Sequence, residues 1–276
     1  MDKLSAILNR FSISAGVFYT GGLCGLSGFD DPNAKEGHLH FLKSGRLEIQ
    51  YGNGQQLILQ EPSLVFYPRP TPHNLIASEE DAAKVVCATV QYGTGPNNPL
   101  ANALPDVIVI PLTESKLLSS SIEGLFEEAF HERSGRQVMM DRLTEIFLIH
   151  LLRYVMDTGE IAQGALAGLA HPQLANVIMA LHQEPESSWS LEAMASLAHM
   201  SRSKFAAEFR QIVGQSPGDY LIEWRIAVAQ NFLKKGKLVG WVANEVGYEN
   251  ASALARVFRK KTGLSPKQWL KENEAV

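Results

Sequence analysis

Residues 205–220 read FAAEFRQIVGQSPGDY, and residues 254–269 repeat much of that pattern as LARVFRKKTGLSPKQW. The second stretch follows the first at an offset of 49 residues, and both keep Phe-Arg, Gly and Ser-Pro in register. A regular internal offset is the signature of a duplicated structural unit. We therefore predict two copies of one small helical unit between Trp189 and Trp269.

Each copy carries the features of two helices joined by a tight turn. In the first copy, Ser201 stands as an N-cap before an apolar run at helical spacing that includes Phe205 and Phe209. In the second copy, Gly247 provides a turn position that tolerates positive φ, and Asn250 caps the following helix. Both copies are therefore predicted to be helix-turn-helix units.

A further helix is expected after each unit. Ser216-Pro217 and Ser265-Pro266 each place a capping residue before proline at the first helical position. The helix predicted from Pro217 to Lys234 joins the two units rigidly. Two units held in this way can address two successive faces of the DNA major groove.

The repeated segment resembles the DNA-binding domain of AraC/XylS-type transcription regulators over residues 189–269. Leu254 stands where that family usually has Phe, and Trp269 stands where it usually has Tyr, but neither change removes a polar contact group. The resemblance implies a module that binds double-stranded DNA. The matching positions are Gly247-Tyr248, Ser252, Arg256, Phe258-Arg259, Gly263, Ser265-Pro266 and Trp269.

Charge is divided unevenly along the chain. Residues 187–276 contain thirteen Lys and Arg against eight Asp and Glu, a net charge of +5, whereas residues 1–186 have a net charge of −9. A basic C-terminal region suits DNA binding, and an acidic N-terminal region suits a part of the protein that does not touch DNA.

Length and composition limit the remaining possibilities. With 276 residues, of which 45% are hydrophobic, the chain can form two compact domains. No apolar run reaches the roughly eighteen residues that a membrane span needs, and the start of the chain does not resemble a signal peptide. We therefore expect a cytoplasmic protein without membrane contact, in which Cys24 and Cys87 do not form a structural disulfide.

Residues 11–110 show short apolar segments separated by turn residues, which predicts a β-barrel or β-sandwich. The hairpin over residues 47–54, followed by residues 64–68 and His73, is similar to the degenerate cupin at the N-terminus of one subgroup of AraC-type regulators. The resemblance implies a sensor domain. The predicted strands include residues 38–42, 47–51, 56–59, 64–67 and 85–92.

Residues 113–157 change to helical periodicity, with one apolar stripe from Leu117 to Phe130 and a second from Leu143 to Tyr154. They predict an antiparallel helical hairpin. In the regulators that this chain resembles, such a hairpin packs on the cupin and often supplies the dimer contact, so we expect a homodimer. The alternative is that both stripes face only the barrel.

These segments together predict an α+β protein. A cupin-like β-barrel with a helical hairpin precedes an all-α domain of two helix-turn-helix units joined by a linker helix. The predicted boundaries are 1–112 for the sensor domain, 113–157 for the hairpin, 158–170 for a linker rich in Gly and Ala, and 171–276 for the DNA-binding domain.

Three histidines raise the question of an effector pocket or a metal site. His38 and His40 are two residues apart on a predicted strand, so both side chains point to one face, and His73 stands where enzymatic cupins place a third histidine. Such enzymes also place a carboxylate shortly after the paired histidines, but here the first one is Glu48. The alternative is that His38 is exposed near a loop, while His40 and His73 line or close the barrel. We expect no cofactor.

Cys24 and Cys87 are candidates for a redox switch, because some relatives in this cupin-bearing subgroup respond to oxidants through cysteines of the N-terminal domain. Cys87 lies in a strand pattern in which a buried, inert thiol is the usual outcome. Cys24 lies in a Gly-rich stretch that favours exposure. A small-molecule signal is the other interpretation, and the sequence leaves both open.

The DNA-reading residues are those of each second helix that face away from its core. In the first unit, Ala206 and Ala207 can contact only thymine methyl groups, so weak base reading is expected there. In the second unit, Arg256 can bind guanine through two hydrogen bonds and is the foremost candidate. The other candidates are Ser203 and Ser252 for bases, and Arg202, Lys204, Arg210, Arg259 and Lys260, in a run with Lys261, for phosphates.

The sequence therefore predicts a transcription regulator whose sequence-specific DNA binding is controlled by a small molecule or an oxidant sensed in the barrel. Its expected partners are promoter DNA, a second copy of the chain and, if it activates transcription, RNA polymerase. No catalytic residue is expected. The alternative is a metal-dependent cupin enzyme fused to a DNA-binding module, with His38, His40 and His73 as ligands.

Overall fold

A computed structural model describes residues 4, 5, 8, 13–31, 34–52, 54–93, 98–158 and 164–273. Contacts within this part of the chain define two compact units. The barrel unit contains residues 13–93 and 104–158. The helical unit contains residues 98–103 and 164–273, together with the described residues before Ile13. Residues 98–103 thus interrupt the barrel unit in sequence but belong to the helical unit.

The strands of the barrel unit form two antiparallel sheets. Their bounds are β1 Ile13–Gly22, β2 Gly25–Phe29, β3 Gly37–Ser44, β4 Leu47–Tyr51, β5 Gln55–Leu59, β6 Ser63–Tyr67, β7 His73–Ala77, β8 Lys84–Tyr92 and β9 Ile108–Pro111. The five-stranded sheet has the order β1-β8-β3-β6-β9, and the four-stranded sheet has the order β2-β7-β4-β5. The predicted cupin-like architecture is confirmed.

The helices complete both units. Their bounds are α1 Pro99–Asn102, α2 Lys116–Ala129, α3 Arg136–Thr158, α4 Ala165–Ala170, α5 Leu174–Gln183, α6 Leu191–Leu197, α7 Arg202–Val213, α8 Pro217–Lys234, α9 Val239–Glu245, α10 Ala251–Thr262 and α11 Pro266–Asn273. The helices α2 and α3 form the predicted hairpin of the barrel unit. Among the residues described, no helix combines the length and the apolar character that crossing a membrane requires.

Both faces of β3 are buried, which explains why its sequence is apolar or aromatic nearly throughout. On the inner face, His40 lies opposite Cys87 of β8 and Val65 of β6, so these side chains share the barrel interior. On the outer face, Phe41 packs against Phe147 of α3 with ring centroids 4.9 Å apart. The hairpin therefore covers the outside of the five-stranded sheet, while the inside is left for the histidines.

The helical unit repeats one packing motif twice. Phe209 of α7 meets Tyr220 of α8 at a centroid distance of 5.6 Å, and Phe258 of α10 meets Trp269 of α11 at 5.9 Å. Both pairs are edge-to-face, at 71° and 74°. The 49-residue offset in sequence thus corresponds to the same aromatic contact in space, and the prediction of two joined helix-turn-helix units is confirmed.

The N-caps of α7 and α10, the second helices of the two units, are the residues predicted from the sequence. The Ser201 hydroxyl accepts a hydrogen bond from the Lys204 amide at the start of α7, and the Asn250 side chain accepts one from the Ala253 amide at the start of α10. The turn of the second unit uses Gly247 at φ +75°, whereas the turn of the first uses His199 at φ +55°. A non-glycine residue in this region stores strain, which the surrounding helices hold in place.

The predicted domain boundaries remain predictions. Within the predicted linker 158–170, residues 159–163 lie outside the described part of the chain, and Ala165–Ala170 form α4.

Candidate DNA-reading surface and barrel interior

The first reading helix, α7, buries its phenylalanines and exposes its basic side chains. Phe205 and Phe209 are fully buried, and Phe209 packs against Tyr220 of α8. One predicted contact residue, Ala206, is half-buried. The others are exposed, namely Arg202, Ser203, Lys204, Ala207 and Arg210. The structure thus presents these residues on a solvent-facing surface.

The second reading helix, α10, has the same organisation with a stronger positive charge. Leu254 and Phe258 are fully buried, so the opposite face is exposed. The predicted contact residues Ser252, Arg256, Arg259 and Lys260 are all exposed on this helix. Lys261 differs from its neighbours, because its Nζ lies 3.0 Å from Oε1 of Glu223 on α8.

A half-buried arginine links the two helix-turn-helix units, and nothing in the local sequence pattern indicated it. Arg225 of α8 donates hydrogen bonds from Nε to the Pro185 carbonyl at 2.7 Å and from Nη2 to the Ser187 carbonyl at 2.9 Å. Its guanidinium also lies 5.6 Å from the ring centroid of Tyr248, in the second turn. Burial lowers the pKa of Arg225, but a guanidinium stays charged. Arg225 therefore fixes the turn of the second unit against the segment before the first.

The interior of the barrel brings the three predicted histidines together. Their ring centroids lie 4.9 to 6.0 Å apart, and Nε2 of His40 is 2.8 Å from Nε2 of His73. His73 is also stacked between Phe29, at 4.8 Å, and Tyr67, at 4.2 Å. His40 and His73 are buried and His38 is half-buried. The pair and the third ring form one aromatic cluster inside the barrel.

The hydrogen bonds of the cluster define its tautomers. Nδ1 of His73 lies 2.7 Å from the Thr71 carbonyl, so this nitrogen carries the proton and donates it. In the neutral ring, Nε2 of His73 is then an acceptor, and Nε2–H of His40 donates to it. Nδ1 of His40 is therefore left with a free lone pair.

Burial keeps these rings neutral. It lowers the pKa of His73 to about 4, and it lowers the pKa of His40 well below its usual value, with His73 and His38 adding to the effect. The pKa of His38 is also lowered by burial. A buried charge without a compensating partner is costly, so the cluster acts as a set of hydrogen-bonding groups and not as a cationic site.

Three buried polar atoms of the interior have no hydrogen-bond partner among the described residues. They are Nδ1 of His38, Nδ1 of His40 and the hydroxyl of Tyr67. Leaving a buried polar atom unpaired costs about 1–3 kcal/mol each, and such atoms call for an explanation. His38, His40 and Tyr67 all belong to the same aromatic cluster.

The cluster does not fit the metal centre of an enzymatic cupin. Within the described residues, no group of three His, Cys, Asp or Glu side chains is arranged to hold a metal ion. The first carboxylate after the histidines, Glu48, lies between the buried Leu47 and Ile49 on β4, so it points away from the interior. It lies 3.8 Å from Arg46 instead. The residues present therefore lack the fourth ligand that this chemistry requires.

The two cysteines occupy different environments. Cys24 is exposed and Cys87 is buried, and both are free thiols. Burial raises the pKa of Cys87 to about 12, which keeps the thiol protonated at neutral pH. Because the thiolate is the reactive form, the burial of Cys87 opposes direct oxidation in the folded protein.

Comparisons with known proteins cover both units. Residues 2–157 match the family model described as Cupin, and residues 194–272 match the one described as Helix-turn-helix domain. An AraC-like transcription regulator of Streptomyces lividans is 31% identical over 199 residues, which is 71% of this chain and 66% of that relative. An HTH-type transcriptional regulator of Haemophilus influenzae is 27% identical over 263 residues, covering 87% of this chain and 88% of the relative. Of the solved structures, ToxT from Vibrio cholerae is 12% identical, with 97% of this chain and 100% of that chain covered and a TM-score of 0.43.

Proposed function

Because the chain belongs to the AraC-type transcription regulators that carry an N-terminal cupin domain, we propose that its barrel unit controls sequence-specific DNA binding by its helical unit. The observation that carries the DNA-binding part of the proposal is the pair of capped reading helices, α7 and α10, each with a buried aromatic or apolar face and an exposed basic face. Exposed Lys and Arg on such helices supply phosphate contacts, and side chains at the groove supply base contacts.

Arg256 carries the largest share of base reading in this proposal. It is exposed on α10, where the neighbouring Ser252 and Ala255 leave room for a long side chain to reach a base edge. Its guanidinium can bind O6 and N7 of guanine together. Lys260, one turn further along α10, is assigned to the phosphate backbone.

Replacing Arg256 with alanine is expected to remove about 1–3 kcal/mol of discrimination between a selected duplex and a scrambled one. Lys260→Ala serves as the matched control, because it removes a charge from the same helix and should weaken binding to both duplexes alike. Losing one phosphate contact should also reduce the slope of log K against log salt by about 0.9. Fluorescence anisotropy titrations at several salt concentrations measure both quantities. Equal losses on both duplexes for Arg256→Ala contradict the assignment.

The barrel interior is the proposed effector site. The unpaired Nδ1 of His40 is an acceptor, whereas the unpaired Nδ1 of His38 and the Tyr67 hydroxyl can each donate or accept. A small polar molecule that donates a hydrogen bond would satisfy His40, and the rings of Phe29 and Tyr67 would contact its apolar part. The oxidant alternative rests on Cys24, the exposed thiol, since Cys87 is buried.

Residues 98–103 are the proposed route of control. They follow β8 and precede β9 in sequence, and yet Leu100 and Ala101 are buried in the helical unit. The backbone of Ala103 lies so close to Gly164 that an added Cβ would come within 2.9 Å of it. The Gly164 amide in turn donates to the Ile212 carbonyl of α7 at 3.0 Å. A shift of this segment would therefore reach the first reading helix directly.

Footprinting on the DNA upstream of the gene, with protein that is reduced, oxidised or stripped of metal, tests whether the barrel unit controls DNA binding. In the wild type we expect at least one condition to change the footprint. Gly164→Ala displaces Ala103. The variant should still bind DNA, but its footprint should no longer change between the three conditions. Gly236→Ala is the control, since Gly236 also has a positive φ, +73°, but nothing lies within 4 Å of its added Cβ. The same footprint from the wild type in all three conditions contradicts the proposal.

The remaining partners follow from this function. A homodimer is supported by Val138, Met139 and Ile146, which are exposed apolar residues on α3. Contact with RNA polymerase, for an activator, and a place in the cytoplasm are implied by binding to promoter DNA. An enzymatic role is not proposed, because the described residues of the barrel unit include no group of three His, Cys, Asp or Glu side chains that could hold a metal ion.

A further inference from the structure

One carboxylate of α8 joins the C-terminal ends of both reading helices. Gln215, which directly follows the C-cap Gly214 of α7, donates a hydrogen bond from Nε2 to Oε2 of Glu223 at 2.9 Å. Lys261, in the last turn of α10, places Nζ 3.0 Å from Oε1 of the same carboxylate. Each oxygen of Glu223 is therefore bonded to the end of a different reading helix.

The bridge lies beside a cavity at the ends of the two reading helices. The ends of α7 and α10 border a cavity of about 250 Å³, lined among others by Val213, Gln215, Glu223, Trp224, Lys261 and Thr262. The ends of both helices and α8 line this cavity together, so the Glu223 bridge spans a gap that side chains do not fill. Both helices also pack on α8, and the bridge adds a contact to each of them from one point of that helix.

The solvent exposure of Glu223 and Lys261 limits what their ion pair can contribute to stability. The side chain of Glu223 is 46% exposed and that of Lys261 is 28% exposed. Ion pairs at such positions contribute little to stability, because water solvates both charges and the side chains lose rotamer freedom. Their geometry nevertheless limits how far apart the two ends can move. A role in positioning is therefore better supported than a role in folding.

We propose that Glu223 is a positioning residue that sets the distance between the two reading helices of one chain. The protein then accepts one separation between the two DNA half-sites, which are the segments contacted by α7 and by α10. The inference rests on the proposed use of α7 and α10 as reading helices. One inserted base pair moves a half-site by about 3.4 Å and about one tenth of a turn. A pair of helices held at a fixed distance cannot follow that displacement without losing contacts.

The test compares duplexes that differ only in the spacing of the half-sites. A site is first selected from random duplex DNA with the intact wild-type protein, and one base pair is then inserted or removed between its halves. We expect the wild type to lose about tenfold in affinity on the altered duplexes, a loss on the scale of one poorly matched position. Glu223→Ala should lose less than about threefold, with its affinity for the original site nearly unchanged.

Two further variants isolate the bridge. Lys261→Gln breaks it from the other end and should relax the spacing to the same extent, and the double variant should add nothing to either single change. The ratio of affinities on the two duplexes cancels any uniform loss of a phosphate contact. Glu272→Ala, which removes an exposed charge from α11, should behave as the wild type.

An unchanged spacing penalty in Glu223→Ala and Lys261→Gln overturns the inference, even though DNA binding itself persists. Failure of the wild type to select any DNA sequence would instead overturn the proposed function. Thermal unfolding of each variant confirms that its fold is retained, since a change in spacing preference without a change in Tm is what a positioning role requires.

Discussion

An alanine at Gly247 is expected to lower the free energy of unfolding of the helical unit by roughly 2–5 kcal/mol. The backbone at Gly247 has φ +75°, a conformation that costs a residue with a Cβ about 1–2 kcal/mol. An added Cβ would also come within 2.6 Å of Nη2 of Arg225 and 2.7 Å of the Glu186 carbonyl. Arg225 cannot move aside cheaply, because its guanidinium is bonded to the Pro185 and Ser187 carbonyls.

Gly263→Ala provides the matched control. Gly263 is the C-cap of α10 at φ +78°, and nothing lies within 4 Å of its added Cβ. This variant should therefore lose only the conformational part, about 1–2 kcal/mol. The difference in free energy of unfolding between Gly247→Ala and Gly263→Ala is the part that arises from the close approach of the second turn to Arg225.

Urea unfolding followed by tryptophan fluorescence is a suitable measurement. All four tryptophans of the chain belong to the helical unit, so their emission reports on this unit. They are Trp189, Trp224, Trp241 and Trp269. Equal losses of stability in the two glycine variants would show that the contact with Arg225 does not constrain the turn.

Acidification is expected to destabilise the barrel unit through its buried histidines. In the unfolded chain His73 has a pKa of 6.5, and in the folded protein burial lowers the pKa to about 4. Below pH 6.5 the unfolded state therefore binds a proton that the folded state does not, so stability falls as the pH falls and levels off below about pH 4. Between pH 7.5 and 5 this one group should cost about 2 kcal/mol.

His73→Asn tests this assignment, because asparagine keeps a polar side chain but cannot be protonated. The variant should be less stable than the wild type at pH 7.5, and its loss of stability on going to pH 5 should be smaller by about 2 kcal/mol. His40 faces His73 and His38 in the same cluster, so some pH dependence should remain. Urea unfolding followed by circular dichroism at both pH values measures the difference. The same pH dependence in both proteins would mean that His73 is not buried in the neutral form.

Much of the helical unit could be predicted because its signals are local. The caps at Ser201 and Asn250 are used as predicted, and Phe209 and Phe258 occupy equivalent places in the core. Capping and helical periodicity depend on residues within one or two turns of each other, so a sequence read along its length contains them. The exposed positions of Arg256 and Lys260 follow from the same periodicity.

The site in the barrel could be predicted only in part. Two histidines at a spacing of two on one strand were expected to share a face, and they do so. The contact of His40 with His73 depends on how β3 and β7 of different sheets meet, which strand periodicity does not specify. The tautomers follow in turn from the Thr71 carbonyl, whose position is set by the backbone before β7.

Two joined helix-turn-helix units behind a β-rich domain could be predicted from the sequence alone, since the 49-residue repeat and its caps are patterns along the chain. The folded chain was needed to see that Lys261 bonds to Glu223 while Lys260 stays exposed. The same is true of the contact of Arg225 with the second turn and of the place of residues 98–103 in the helical unit. Each of these depends on residues far apart in sequence meeting in space, and the path of the folded chain is what brings them together.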